Sequence, residues 1–287
     1  VPSLSAALTA LGASDDAYKA WAGFFATTTE LGTVATHIEA ESSPAEGSKG
    51  QHFIICLTNS AAAMAAANLP TATTPRLDSS RRYPILWAQS APNAMWELAA
   101  RYAAGIAAEA YVARNFNGFE FVGDESAPVV AIHPLDRATR SERNDAIGLR
   151  HCPVSVNSAG NMAVIWAGTS YKPKGFKDAK LAKLSASLTL DYYIYDLGIT
   201  LAAQFGGKKL KVNSPARTTN STTPAAVEEA VFRWARRLDD ADLFDGAEAK
   251  RDAIKAAVVV SPTRLDVNVP FVPPADLDIL AVSGIAE

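Results

Sequence analysis

The chain has 287 residues, a formal charge of −3, 48% hydrophobic and 20% charged residues, which suits one large or two ordinary soluble domains. The slight acidity gives no long-range reason to expect nucleic acid or an anionic membrane as a partner. No apolar run approaches the roughly 18–20 residues that span a bilayer, and no basic-then-apolar segment marks a signal peptide. Two cysteines, Cys56 and Cys152, could pair, but each sits in an apolar run, the pattern of buried free thiols. The first residue is Val and a helical pattern begins almost at once, so a piece of a longer protein, lacking an N-terminal part, is expected.

Ser3 to Leu11 places Leu4, Leu8 and Leu11 on one helical face before Gly12. Asp15 to Phe25, with Tyr18, Trp21, Phe24 and Phe25, suits a short helix or a strand with a loop. A helix over Thr29 to Glu41 precedes a Ser/Pro/Gly loop. His52 to Thr58 is an apolar run of strand length, as for a strand covered on both faces. Asn59 or Ser60 can cap a helix over Ala61 to Asn68, Tyr83 to Ala88 is a second apolar run, and Ala91 to Tyr111 is an Ala-rich helix with Pro92 near its start. This alternation predicts a parallel or mixed α/β sheet with flanking helices. Val129 to His133 adds a short strand.

Thr139 to Arg150 reads as a helix. Val154 to Asn157 and Met162 to Trp166 read as a β-hairpin turning at Gly160. From Asp178 to Phe205 the spacing gives a helix of roughly 40 Å, with Leu181, Leu184, Leu188, Tyr192, Tyr195, Ile199 and Ala202 on the packed stripe. Lys180, Lys183, Ser187, Asp191 and Asp196 lie off that stripe, toward water. Thr223 and Pro224 open another helix whose buried stripe is Val227, Val231, Trp234 and Leu238, and a short helix follows over Ala247 to Lys255. The tail alternates strand-like pieces (Val258 to Val260, Leu265 to Val269, Leu277 to Val282) with Pro262, Pro270, Pro273 and Pro274, so these are edge strands or strands that change partner. The whole is α/β (α+β overall): an α/β domain over 1–138, then a smaller α+β domain over 139–287 holding the hairpin, the long helix and a strand-rich arm.

The residues of catalysis do not gather. Gly206-Gly207-Lys208 lacks the rest of a phosphate loop, no Gly-x-Ser-x-Gly elbow occurs, and His37-Ile38-Glu39 lacks the Pro-Cys-x-x-Cys of a zinc deaminase. His52 and Cys56 share a strand face but make only two ligands. His151 and Cys152 fall on opposite faces of an extended segment. Arg233, Arg236 and Arg237 stand among acidic residues as a solvated face. No catalytic, metal or cofactor residues are assigned.

The order of motifs resembles the tail sheath proteins of contractile bacteriophages, the group typified by phage Mu. The blocks are Trp96-Glu97-Leu98-Ala99-Ala100; Arg140-Ser141-Glu142-Arg143-Asn144 leading to the Gly160 hairpin; Thr169-Ser170-Tyr171; Leu190 to Asp196 inside the long helix; Thr223-Pro224 opening the helix of Trp234; and Ser261-Pro262-Thr263-Arg264-Leu265-Asp266-Val267 before Val272-Pro273-Pro274. The last is the most specific. Glu142, Asn144, Gly160, Tyr171, Arg264, Leu265 and Asp266 are the family-matching positions. The chain departs near Trp166-Ala167, where the family carries Arg, and at Arg114-Asn115, where it carries Asp-Pro.

The resemblance implies a structural subunit, not an enzyme. Such subunits stack as hexameric rings around a tail tube, contract to drive the tube through the host envelope, and have neighbouring sheath subunits, the tube protein and the baseplate as partners. It implies no cofactor, no nucleic acid and no membrane insertion, and a place in the virion tail assembled in the bacterial cytoplasm. Strand exchange would use Leu277, Ile279, Leu280, Val282 and Ile285 as donors, with the hairpin at Asn157 and Gly160 and the strands from Val258 to Val269 as acceptors. Two alternatives stay open: an α/β enzyme, hydrolase-like, with its site at the C-terminal edge of strands 51–58 and 83–89 near Asn59, Ser60, Gln89 and Ser90, and the sheath of a phage-tail-like bacteriocin or secretion machine.

Overall fold

A computed structural model describes residue 8 and residues 20–23, 27–42, 51–74, 76–108, 114–123, 128–172, 180–212, 218–257 and 265–274. Two compact units divide it, the first taking the described residues up to Leu188 and the second spanning Thr189–Ala275. The break falls there rather than at 138/139, because the hairpin that follows residue 139 continues the first unit's sheet.

That sheet has five strands in sequential order, β1 (Ala20–Ala22), β2 (His52–Leu57), β3 (Ile85–Trp87), β4 (Cys152–Val156) and β5 (Met162–Val164). β1 through β4 run parallel, and β5 returns antiparallel on β4 with Val154 opposite Val164. The mixed sheet expected from the sequence is present, and Ala20–Ala22 takes the strand alternative. In β2 the side chains alternate between two cores, as the pleat demands. Ile54 and Cys56 join Leu86, Cys152, Val154 and Val164 beneath Leu98, Tyr102 and Ile106 of α4 (Met95–Ala108). Phe53 and Ile55 join Ile85 beneath Leu31, Val34 and Ile38 of α1 (Thr28–Glu41). Both faces are therefore covered, which is why β2 reads as an unbroken apolar run.

The helix starts are set by side-chain caps. Thr27 and Glu30 form a reciprocal capping box on α1, and Ser60 accepts from the Ala63 N–H to start α2 (Ala61–Ala67). A short α3 (Leu69–Ala72) follows. Thr139 and Glu142 form a second capping box on α5 (Arg140–Gly148), and the bonds from Thr139 hold the Glu142 carboxyl below its ordinary value. These boxes satisfy donors that have no partner within the helix.

Two expectations for the first unit are corrected. The Ala-rich helix begins at Met95, not Ala91: Pro92 sits in the preceding turn, where Ser90 has a φ of 53°. Val129 to His133 is not a strand, because side chains take up its backbone groups. The Val130 N–H donates to Asn93 Oδ1 at 3.0 Å, and Asn93 and Arg137 donate to the carbonyls of Pro128 and Ile132.

The long helix, α6 (Leu184–Phe205, 22 residues), starts later than Asp178, since Lys183 bridges Gly168 and the Leu184 N–H donates to the Ala167 carbonyl. Of its expected stripe Leu184 and Leu188 are buried, but the reading fails elsewhere. Ser187 and Asp191 are buried at 0% and 8% exposure, whereas Tyr195 and Ile199 are 57% and 52% exposed. Ser187 turns inward because His52 and Arg81 bond its hydroxyl at 3.0 and 2.9 Å. The buried tyrosine is Tyr193.

In the second unit α7 (Pro224–Asp239) buries Val227, Val231, Trp234 and Leu238 as its periodicity requires, capped by Thr223. Arg233, Arg236 and Arg237 lie on its exposed side. The helix expected over Ala247 to Lys255 is a 3-10 turn at Glu248–Ala253. Two small sheets complete the unit: parallel β6 (Lys209–Leu210) with β7 (Ser221–Thr222), and antiparallel β8 (Lys255–Ala257) with β9 (Asp266–Asn268).

Candidate functional site

At the edge where an α/β enzyme would bind ligand the candidate residues make structural bonds, while Asn59 Oδ1 and Gln89 Oε1 are buried without a hydrogen-bond partner among the described residues. The Asn59 carbonyl accepts from Trp87 Nε1 at 3.0 Å, the Ser60 hydroxyl caps α2, Gln89 Nε2 reaches the Asp136 carbonyl at 3.4 Å, and the Ser90 N–H donates to the Thr58 carbonyl. Among the described residues no three of His, Cys, Asp and Glu gather as a metal set. Cys56 and Cys152 are free and buried. Burial pushes both thiols up to about 12, so neither supplies a thiolate at neutral pH. His37 and Glu39 lie on α1, where Glu39 accepts from Ser80 and from the Tyr83 hydroxyl. A groove of about 330 Å³ beside α1 is lined by threonines, of which Thr33 and Thr36 already donate to carbonyls of their own helix.

The family-matching positions do not converge on a pocket. Glu142 is the third helical residue of α5 and makes its capping box, while Asn144 is exposed on the same helix. Tyr171 is half-buried after the buried pair Thr169-Ser170. Leu265 and Asp266 lead into and begin β9, and Arg264 and the donors Leu277, Ile279, Leu280, Val282 and Ile285 lie outside the described residues.

Gly160 closes the hairpin as expected, with a φ of 88°. Around that turn lies a clamp that sequence reasoning missed. The Asn157 side-chain oxygen accepts from the N–H groups of Ala159 and Asn161, and the amides of Asn157 and Asn161 both donate to the Glu120 carboxylate. Glu120 is 37 residues from Asn157 in sequence, so no local signal marks it. Gly160→Ala should destabilise the protein by about 1–2 kcal/mol, the penalty for a Cβ at positive φ, because nothing else crowds that position. A denaturant midpoint within error of the parent would contradict this.

A second candidate site is in the second unit. Among the described residues β8 and β9 form a two-stranded sheet, and two strands are marginal without further partners or packing. α7 supports them: the Ala256 N–H donates to Glu228 Oε1 at 2.8 Å, and Arg251 pairs with Glu229 at 3.1 Å and lies over the Phe232 ring. A groove of about 150 Å³ lies beside α7 and β8, bordered by Glu228, Glu229, Phe232, Arg251, Asp252, Ile254 and Lys255, so three carboxylates face two cations. The arrangement is a short sheet beside a charged groove.

The layered first unit and the small α+β second unit are the fold of contractile tail sheath proteins. Against the sheath tail protein of Listeria innocua the TM-score is 0.66, with 11% identity over 94% of this chain and 56% of the other. For the sheath tail protein of Desulfitobacterium hafniense it is 0.60, with 13% identity over 88% and 52%. The helical sheath of the anti-feeding prophage in its contracted state gives 0.60, with 14% identity over 98% and 73%. The chain thus spans about half the length of the two bacterial sheath proteins. No protein-family model matches the sequence, and no curated protein does. Among the described residues no helix is long and apolar enough to cross a membrane.

Proposed function

We propose that this chain is a structural subunit of a contractile tail sheath, polymerising as stacked rings around a tube and contracting as a lattice. The observation that carries this is the fold likeness, which runs over nearly the whole chain and both units. The partners are other copies of the subunit, the tube protein and a baseplate, and the setting is a phage tail or a phage-tail-like particle. The apolar segment Leu277 to Ile285 adds as a strand to a neighbour's sheet, and the β8–β9 pair, two-stranded among the described residues, is what such a strand would complete. In this reading no covalent bond changes. The work comes from a metastable packing relaxing to one with larger buried contacts. The motif positions serve the frame, with Glu142 and Gly160 closing a helix start and a turn.

The test is negative-stain electron microscopy of the product of the whole reading frame that encodes this chain. Tubes or stacked rings are expected, and the same product ending at Pro274 should stay folded but unassembled. Long tubes from the truncated product would refute the strand-linking role of the tail. Persistent monomers from the full product would refute the sheath reading.

A further inference from the structure

The chain leaves the β8–β9 pair at Asn268 and is described for six residues more, Val269-Pro270-Phe271-Val272-Pro273-Pro274. Three of the six are prolines, whose rings fix φ and remove the backbone donor, and each also restricts the residue before it. Such a stretch cannot serve as a central strand, and it gives up less freedom than an ordinary chain when it is held in one place. It is held. The Val272 carbonyl accepts from the Asp245 N–H at 2.9 Å, the Phe271 ring stands edge-on to Tyr193 at 5.6 Å, and Pro273 is buried. The turn that receives it is braced by both long helices of the unit. From α7, the Asp239 carboxylate accepts from the Gly246 and Ala247 N–H groups at 3.2 and 2.8 Å, and the Leu238 carbonyl accepts from those of Leu243 and Phe244. From α6, the Tyr193 hydroxyl donates to the Leu243 carbonyl.

We infer that Phe271 and Val272 anchor the base of the C-terminal segment, so that a pull on residues 275–287 is borne by α6 and α7 rather than by β9. The inference rests on the strand-linking reading above and adds to it where the linking segment is fastened. Two arguments carry it. β9 meets β8 at three opposed pairs, Lys255 with Asn268, Ala256 with Val267 and Ala257 with Asp266, and so short a two-stranded pairing is marginal. A load entering at Asn268 would peel it one pair at a time. The second argument is entropic. With its base fixed, the segment reaches a neighbour through the residues beyond Pro274 alone, whereas an unanchored chain swings from Asn268 and is six residues longer. The shorter tether raises the effective concentration at the acceptor, and the ordering of the base is already done in the free subunit. Phe271 is thus a positioning residue, acting through the segment it holds.

The experiment measures the lowest concentration at which the product of the whole reading frame forms tubes, for the parent, Phe271→Ala, Phe271→Leu and Val231→Ala. Amide exchange at Asp245 and along α7 is followed in each. Val231 is buried on α7, so its truncation weakens the same unit without touching the anchor. Phe271→Ala should speed exchange at Asp245 and raise the tube-forming concentration about tenfold, the cost of ordering about one further residue of backbone. Phe271→Leu refills most of the socket and should stay near the parent in both readouts. Should Phe271→Ala loosen α7 as well, it is judged against Val231→Ala at matched α7 exchange, and the anchor requires that it still assemble less readily. Tubes from Phe271→Ala at the parent's concentration overturn the anchor, as does unchanged exchange at Asp245. An equal rise in Val231→Ala overturns it too, since the general stability of the unit then sets assembly. Equally good tubes from the product ending at Pro274 overturn the strand-linking reading and the anchor with it.

Discussion

Replacing Tyr193 by alanine should lower the stability of the second unit by about 3–5 kcal/mol, the range for removing a large buried aromatic side chain. Tyr193 is 4% exposed. Its ring stands edge-on to Trp234 at 5.3 Å and to Phe271 at 5.6 Å, and stacks on Phe244 at 5.8 Å. Aromatic pairs in these geometries contribute beyond their buried area. The hydroxyl donates to the Leu243 carbonyl at 2.5 Å, so one residue of α6 holds both α7 and the turn that follows it. The aromatic contacts and the hydrogen bond separate experimentally: Tyr193→Phe keeps the ring and should lose only about 1 kcal/mol. Hydrogen exchange in α7 is the proper readout, because a chain of two units need not unfold in one step. A loss below about 1 kcal/mol for Tyr193→Ala would mean that the cluster does not hold this unit together.

Tyr193 also shows where sequence reading stops. A period of three and four places Tyr192 and Tyr195 on one stripe with Leu188 and Ile199, and that argument assumes one buried side along the whole helix. α6 does not have one. Leu184–Leu188 belong to the first unit and the remainder to the second, so the buried direction is set by different neighbours at the two ends. The same limit explains Ser187, whose inward turn depends on Arg81 and His52, the latter 135 residues away. Where the surroundings are the same along the whole element, the pattern is readable: the unbroken apolar β2 between its two cores, the stripe and cap of α7, and the turn at Gly160 all stand as expected. The charged residues that shape the candidate site were not readable. Glu228 resembles any acidic residue near a helix start, and only the fold brings the Ala256 N–H to it. Asp196, expected to face water, accepts from Trp234 Nε1 at 2.6 Å and from Arg237.

Acid should weaken the first unit through one residue. His151 has 0% exposure, and among the described residues neither ring nitrogen makes a hydrogen bond of ordinary geometry. Burial pushes its pKa from 6.5 down to about 4, with the Leu149 backbone pulling the other way. The folded chain therefore keeps this imidazole neutral where the unfolded chain protonates it. Because the folded value is the lower one, the unfolded state binds more protons between about pH 6.5 and pH 4. Stability is intact above that window and falls as the pH drops through it. From pH 7 to pH 5 the loss is about 2 kcal/mol, growing to about 3 kcal/mol near pH 4. The measurement is urea unfolding of the parent and of His151→Leu at pH 7 and pH 5. A leucine leaves no group to titrate and no polar atom to bury, so it should be neutral or mildly stabilising at pH 7. Carboxylates such as Glu142, held low by its capping box, weaken both proteins alike in acid, so the difference between the two isolates His151. Equal losses in the two proteins would show that His151 takes up its proton without unfolding.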